Sequence, residues 1–167
     1  MLIRPATKTD IPQILQLINE VVPVLTAEGN FQWDAGYPNA GVFENDIALN
    51  ELWVADAEGT IAGIAAITTD QEPEYAMANW DINETAVVVH RLAVIPRYRG
   101  KGIANKLLQQ AEEVAHSRGI KTMRIDTNVV NTAAQQLFLR AGYVYAGEIG
   151  LNFRPGMRFY CYEKRLD

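Results

Sequence analysis

Val94-Ile-Pro-Arg97-Tyr-Arg99-Gly100-Lys101-Gly102-Ile-Ala104 joins a strand end, a basic glycine turn and a helix start in one short span. The apolar, β-branched run Ala86-Val-Val-Val-His-Arg-Leu-Ala-Val-Ile95 leads into it and predicts a buried strand, which Pro96 stops. Free N–H groups at a helix start attract anions, and the helix dipole adds to that attraction. Gly100 and Gly102 let the backbone approach a ligand closely. Arg97, Arg99 and Lys101 raise the local positive potential. The segment reads as a diphosphate cradle, or as a tight strand–helix turn that needs glycine and carries solvated cations. Its spacing excludes two other phosphate loops: there is no third glycine for a Rossmann fingerprint and no G-x-x-x-x-G-K-[ST].

Around this turn the chain is acidic. Its 167 residues hold 15 Lys and Arg against 20 Asp and Glu, a net charge of −5. That balance excludes a strongly basic nucleic-acid binder. Hydrophobic residues make up 49% and charged residues 21%, a globular mix sufficient for one sizeable core. No repeat, low-complexity tract or long linker appears, so residues 1–167 are expected to form a single domain. Cys161 is the only cysteine, which excludes an intrachain disulfide and a multi-cysteine metal site. His90 and His116 are too few and too far apart for a histidine-rich zinc site, and no metal is expected. No apolar run approaches about 18 residues, so no membrane span is expected. The N-terminus lacks a signal-peptide core, and a cytoplasmic chain is the default expectation.

The elements follow from periodicity. Leu2-Ile3-Arg4 predicts a short strand. Asp10 is placed to cap a helix, with Pro12 in its first turn and Gln13 three residues after the cap. Ile11, Ile14, Leu15, Ile18 and Val22 recur at helical spacing, and Pro23 is expected to end or kink that helix. Residues 29–41 read as a loop and 42–50 as a short helix. Residues 52–55 and 61–67 predict a hairpin turning at Glu58-Gly59, and 70–83 a polar loop. Lys101 to Ser117 predicts a helix ended by Gly119. Residues 123–127 predict a strand. Asn131 is placed to cap a helix that Gly142 terminates, and 143–149 and 158–166 predict two last strands. Strands and helices mixed around one sheet give an α/β or α+β fold.

Arg97-x-x-Gly100-x-Gly102 after His-Arg-Leu-Ala-Val-x-Pro resembles the acyl-CoA motif of the GCN5-related N-acetyltransferase (GNAT) superfamily. Ile3-Arg4-x-Ala6-x-x-x-Asp10 looks like the family's first strand and helix cap, and N-x-x-A-x-x-x-F-x-x-x-G-Y from Asn131 to Tyr143 like its second half-motif. The resemblance covers most of the chain, with 29–50 and 68–85 divergent. It implies a mixed, twisted and centrally splayed sheet flanked by helices, with acetyl-CoA as co-substrate in the split. The pantetheine arm would pair with the backbone of Leu92 and Val94, and the pyrophosphate would sit on N–H groups of residues 97–102. The implied binding set is Leu92, Ala93, Val94, Arg97, Tyr98, Arg99, Gly100, Lys101, Gly102, Ile103, Ala104, Asn131, Ala134 and Phe138.

Three residues are candidates for catalysis. His90 shares a pleat face with Val94 by period 2, and an imidazole near neutral pKa can take a proton from an ammonium acceptor. A core histidine satisfied by a backbone carbonyl is the alternative. Glu84, like Asp81, can bind or deprotonate a cationic acceptor, or be merely solvated. Many family members carry a tyrosine acid on the last helix. Phe138 stands there here, so Tyr143, Tyr160, Tyr162 or solvent would protonate the thiolate. Trp33, Tyr37, Trp80 and Asp81, with Phe31 and Tyr75, lie in segments the family uses for the acceptor cleft; the tryptophans can equally cover the core. Cys161 reads as a structural thiol.

These readings imply an acetyl-CoA-dependent N-acetyltransferase. It would act by direct attack of a small-molecule primary amine, of cationic or zwitterionic type, as a monomer or homodimer. A protein N-terminal or lysine acetyltransferase, a non-catalytic acyl-CoA sensor and a structural module are the alternatives. The intact Arg97–Gly102 segment argues against the last.

Overall fold

The computed structural model describes residues 1–167. It is a mixed α/β fold whose helices flank one open sheet of seven strands, in the order β1-β2-β3-β4-β5-β7-β6. The strands are β1 (Leu2–Pro5), β2 (Leu52–Ala57), β3 (Thr60–Thr68), β4 (Val87–Val94), β5 (Thr122–Asn128), β6 (Val144–Gly150) and β7 (Arg158–Arg165). The helices are α1 (Ile11–Ala27), α2 (Ala40–Ala48), α3 (Ile103–Ser117) and α4 (Thr132–Arg140). No helix is long and apolar enough to cross a membrane. The chain divides into two compact units, one of Met1–Ile67 with Val89–Gln110, the other of Thr68–Val88 with Ala111–Asp167.

In the first unit, β1 and β2 pair antiparallel from Leu2↔Asp56 to Pro5↔Trp53, and β2 and β3 from Leu52↔Ala66 to Ala57↔Thr60. The apolar stripe Ile14, Leu17, Ile18 and Val21 of α1 buries against Phe43 of α2 and Val54, Ile61 and Ile64 of the strands. Gly63 on β3 brings α3 close. A Cβ there would lie 2.8 Å from Ile103 Cγ2 and 3.2 Å from Leu107 Cδ1.

Two expectations need amending here. Pro23 does not end α1, which runs on to Ala27. The proline removes one helical bond, but the turns before it are held by the buried stripe, which outweighs a local cost of about 3 kcal/mol. Gln13 forms no capping box. Its side chain instead donates to Gly59 O and accepts from Ile61 N, both at 3.0 Å, clamping the β2–β3 turn.

In the second unit, β7 pairs antiparallel with β5 on one side and β6 on the other. β4 joins β5 in parallel through Val87↔Met123 and Val88↔Arg124, and Val89 begins the part of β4 that belongs to the first unit. Residues 70–83 are not simply a polar loop. A 3-10 turn over Pro73–Met77 buries Tyr75 completely, in a cluster with Ala78, Val88, Ile149, Phe159 and Cys161. The aromatic side chain supplies the apolar area that the polar composition of this segment conceals.

Candidate functional site

The basic turn is built from backbone outward. After β4, Tyr98 N–H bonds Ile95 O at 2.9 Å and Arg99 N–H bonds Pro96 O at 3.1 Å, closing a 3-10 turn over Pro96–Tyr98. Gly100 and Gly102 then take φ of 78° and 77°, the left-handed region that costs an L-residue roughly 1–2 kcal/mol. Gly102 therefore lies outside the helix, and α3 starts at Ile103 rather than Lys101. Lys106 N–H is the first to bond back, to Gly102 O at 3.0 Å, so the N–H groups of Ile103 to Asn105 precede the helical ladder. Nothing lies within 4 Å of a Cβ placed on either glycine. Exposed Arg97, Arg99 and Lys101 surround this donor-rich, open backbone. Arg97 and Lys101 lie over the Tyr98 ring at 5.6 and 5.0 Å, and Arg97 also pairs with Glu20 at 2.6 Å, which offsets part of its charge. The arrangement can receive an anion on N–H groups without moving a side chain.

Immediately upstream, Arg91 has φ of 52° in the middle of β4. A left-handed residue interrupts the alternation of a strand. The period-2 argument that put His90 and Val94 on one face therefore does not run through Arg91. His90, Leu92 and Val94 are all half-buried. Arg91 donates to Asp46 of α2 through Nε at 2.8 Å and Nη2 at 2.7 Å, and to the Tyr37 hydroxyl at 3.3 Å. Asp46 is buried, and burial raises its carboxyl above the ordinary value despite Arg91. Tyr37 and Trp33 pack with the core of this unit, so Trp33, only 7% exposed, covers the core.

The remaining candidates lie in the second unit. Asn131 caps α4, its Oδ1 accepting Ala134 N–H at 3.1 Å. Phe138 is 2% exposed and packs against the rings of Tyr162 and Tyr143, at 5.5 and 6.1 Å. The Tyr143 hydroxyl is buried with no protein hydrogen-bond partner, and burial pushes its pKa up. Glu84 accepts from Thr122 at 2.6 Å and pairs with Arg165, with Arg124 at 3.6 Å. Thr122 first, then those arginines, hold it below the ordinary carboxylate range, so it stays ionised near neutral pH. Asp81 is exposed and accepts Asn83 N–H at 2.9 Å. Trp80 donates its indole N–H to Tyr75 O at 2.6 Å, with the fully buried Arg124 guanidinium 4.7 Å from its ring centroid. Cys161 is fully buried and pushed up to about 12 by burial and Asp126, an inert thiol.

Sequence reasoning missed the pairing of Arg91 with Asp46 across 45 positions, and it named Tyr75 without Asp126, the carboxylate that its hydroxyl meets across 51. No local pattern signals contacts so distant in sequence.

A model of the acetyltransferase (GNAT) family matches residues 18–143, which include the whole basic turn and α4. The chain belongs to that family, and the family is one of acyltransferase enzymes. A GNAT acetyltransferase structure from Streptococcus agalactiae superposes with a TM-score of 0.85 at 29% identity, covering 99% of this chain and 95% of that one. N-acetylaspartate synthetase of Xenopus tropicalis is 30% identical over 106 residues, 64% of this chain and 35% of that protein. The chain thus spans about a third of the length of such curated relatives. An acetyltransferase structure from Salmonella typhimurium, described with its cofactor acetyl-CoA, shares the fold at a TM-score of 0.70 and 21% identity, covering 99% of this chain and 94% of that one.

Proposed function

We propose that this GNAT chain transfers the acetyl group of acetyl-CoA to a primary amine of a small molecule by direct attack, with residues 1–167 acting as one catalytic domain. The observation that carries the reading is the turn over Pro96–Gly102. Two left-handed glycines, unbonded N–H groups at the start of α3 and three basic side chains match a diphosphate in charge and donor count. Leu92 and Val94 would pair with the pantetheine arm. An N–H near Leu92 would polarise the thioester carbonyl and stabilise the tetrahedral oxyanion. Asn131 spends its Oδ1 on the cap, so its amide nitrogen is the atom available to the arm or to a water beside it. His90 remains a candidate for taking the ammonium proton. Glu84, held ionised by its neighbours, fits acceptor binding better than proton exchange. The synthetase similarity supports a small acceptor, since that relative is named for an N-acetylated amino acid.

The test is thiol release from acetyl-CoA across a panel of small amines, amino acids and peptides. A small amine or amino acid turned over in preference to peptides supports the reading. Preference for peptides points to a protein acetyltransferase, and tight acetyl-CoA binding with no thiol released from any acceptor points to a sensor.

A further inference from the structure

Gly63 lies inside β3, opposite Ala55 of β2, and its φ is not in the left-handed region. An alanine could adopt that backbone, so no turn requires the glycine. What the position lacks is room. A Cβ on Gly63 would stand 2.8 Å from Ile103 Cγ2, 3.2 Å from the Ala93 carbonyl oxygen and 3.2 Å from Leu107 Cδ1. At no other glycine of the chain would a Cβ come within 3.0 Å of a neighbouring atom. Leu107 Cδ1 is the end of a flexible side chain and can turn away. The other two atoms cannot. Ala93 O is backbone, and Ile103 Cγ2 is carried on a β-branched carbon whose χ1 in a helix is almost fixed. Gly63, Ala93, Ile103 and Leu107 are all buried, and all belong to the first compact unit.

The two unyielding contacts fall in the two halves of the co-substrate site. Ala93 lies in the Leu92–Val94 stretch proposed to pair with the pantetheine arm. Ile103 opens α3, and its N–H is the first of the three that precede the helical ladder. β3 also ties down the end of β4, since Ile95 N–H bonds Ala62 O at 2.9 Å, one residue from Gly63. We infer that Gly63 is a positioning residue for the co-substrate. Having no side chain, it lets α3 seat against β3, and this sets the spacing between the strand that holds the arm and the N–H groups that hold the diphosphate. The inference rests on the acetyl-CoA reading above. A methyl group added at this position pushes the first turn of α3 outward. Hydrogen bonds to a diphosphate depend on distance and direction, so they weaken when their donors are displaced. A ligand that spans both strand and turn senses the spacing. A ligand that engages the strand alone does not.

Gly63→Ala and the double variant Gly63→Ala with Ile103→Ala test this in the full chain, with acetyl-CoA and S-acetylpantetheine as probes. The second probe carries the thioester and the arm but no diphosphate. One added methyl leaves a domain of this size folded at low temperature, where calorimetry reads both affinities. Gly63→Ala should bind acetyl-CoA about tenfold or more weakly than wild type, and S-acetylpantetheine within about threefold of wild type. Ile103→Ala removes the methyl that the new Cβ would strike, so the double variant should regain most of the lost acetyl-CoA affinity. A residue that only fills the core would lower the melting temperature without distinguishing two ligands that differ in the diphosphate. Unchanged acetyl-CoA affinity in Gly63→Ala overturns the assignment, as does an equal loss for both probes or a double variant no tighter than the single one. A Gly63→Ala chain that does not fold overturns it too, since the position would then carry the fold and not the spacing. A wild-type chain that binds no acetyl-CoA removes the co-substrate reading itself, which separates the two failures.

Discussion

The guanidinium of Arg91 grips the carboxylate of Asp46 with two hydrogen bonds, at 2.8 and 2.7 Å. The pair ties α2 to the one non-glycine residue of β4 whose φ is positive. A left-handed residue in a strand persists only where its surroundings hold it. Here an ion pair with a buried Asp46 does so, next to Leu92, whose backbone is the one proposed for the thioester. The fork geometry also fixes direction, because both nitrogens must face one carboxylate plane.

Asp46→Ala should therefore destabilise the protein, by up to about 3 kcal/mol, because it leaves a half-buried guanidinium without its charge partner. Asp46→Asn keeps one acceptor and should cost less. Urea unfolding of both variants checks the ordering, and an Asp46→Ala protein as stable as wild type would contradict it.

Gly102→Glu should abolish acetyl-CoA binding. The site has open space for a side chain, so no clash within the protein is involved. The loss would come from the φ of 77°, which disfavours any L-residue, and from a carboxylate set against a diphosphate. Calorimetry on the folded variant is the measurement, and unchanged affinity would remove the diphosphate assignment. Gly102→Ala separates the two causes, since it keeps the strain and omits the charge.

Asp10 predicts a specific loss of stability in acid. Arg4 first, then the Thr7 N–H at 2.8 Å, hold its carboxyl below the ordinary value of 3.8. A carboxylate depressed by folding contributes stability that is fully present above that ordinary value and disappears as pH falls through the lowered one. The stability gap between wild type and Asp10→Asn should be open at neutral pH and narrow steadily below pH 3.8. Urea melts across that range read it directly.

What could be read from sequence was whatever a single residue imposes on its own neighbourhood. Gly100, Gly102, Gly119 and Gly142 all take positive φ at the turns their positions implied, and Asn131 caps α4. Pro23 misled because its local cost is smaller than the burial of Ile14, Leu17, Ile18 and Val21, which only the packed helix shows. The 70–83 stretch misled for the opposite reason. Its polar residues surround one Tyr75 whose burial depends on β5 and β7. Arg91 was hidden because its conformation is set by Asp46, across a helix, a hairpin and a loop. Strand parity carried across Arg91 thus gave His90 a face that backbone geometry does not support.

The aromatic cluster on α4, β6 and β7 gives the last prediction. Tyr143 was a candidate acid, and Phe138 stands where the family resemblance puts one. Phe138 is buried among Tyr143 and Tyr162. A hydroxyl added by Phe138→Tyr would meet rings rather than a polar partner, so the variant should lose about 1–3 kcal/mol, seen as a lower melting temperature. Acetyl-CoA should not rescue it. Tyr143→Phe is the converse change. It removes a buried hydroxyl that has no protein partner, so stability should hold or rise. A phenol pushed up by burial and by Glu112 is also a poor proton donor, and turnover should stay near that of wild type. A thiolate with an ordinary pKa near 8.5 can take its proton from the amide-forming nitrogen or from water. If Tyr143→Phe instead lowers turnover more than about tenfold while acetyl-CoA still binds, the hydroxyl does reach the sulfur, and its missing partner in the fold is the leaving group itself.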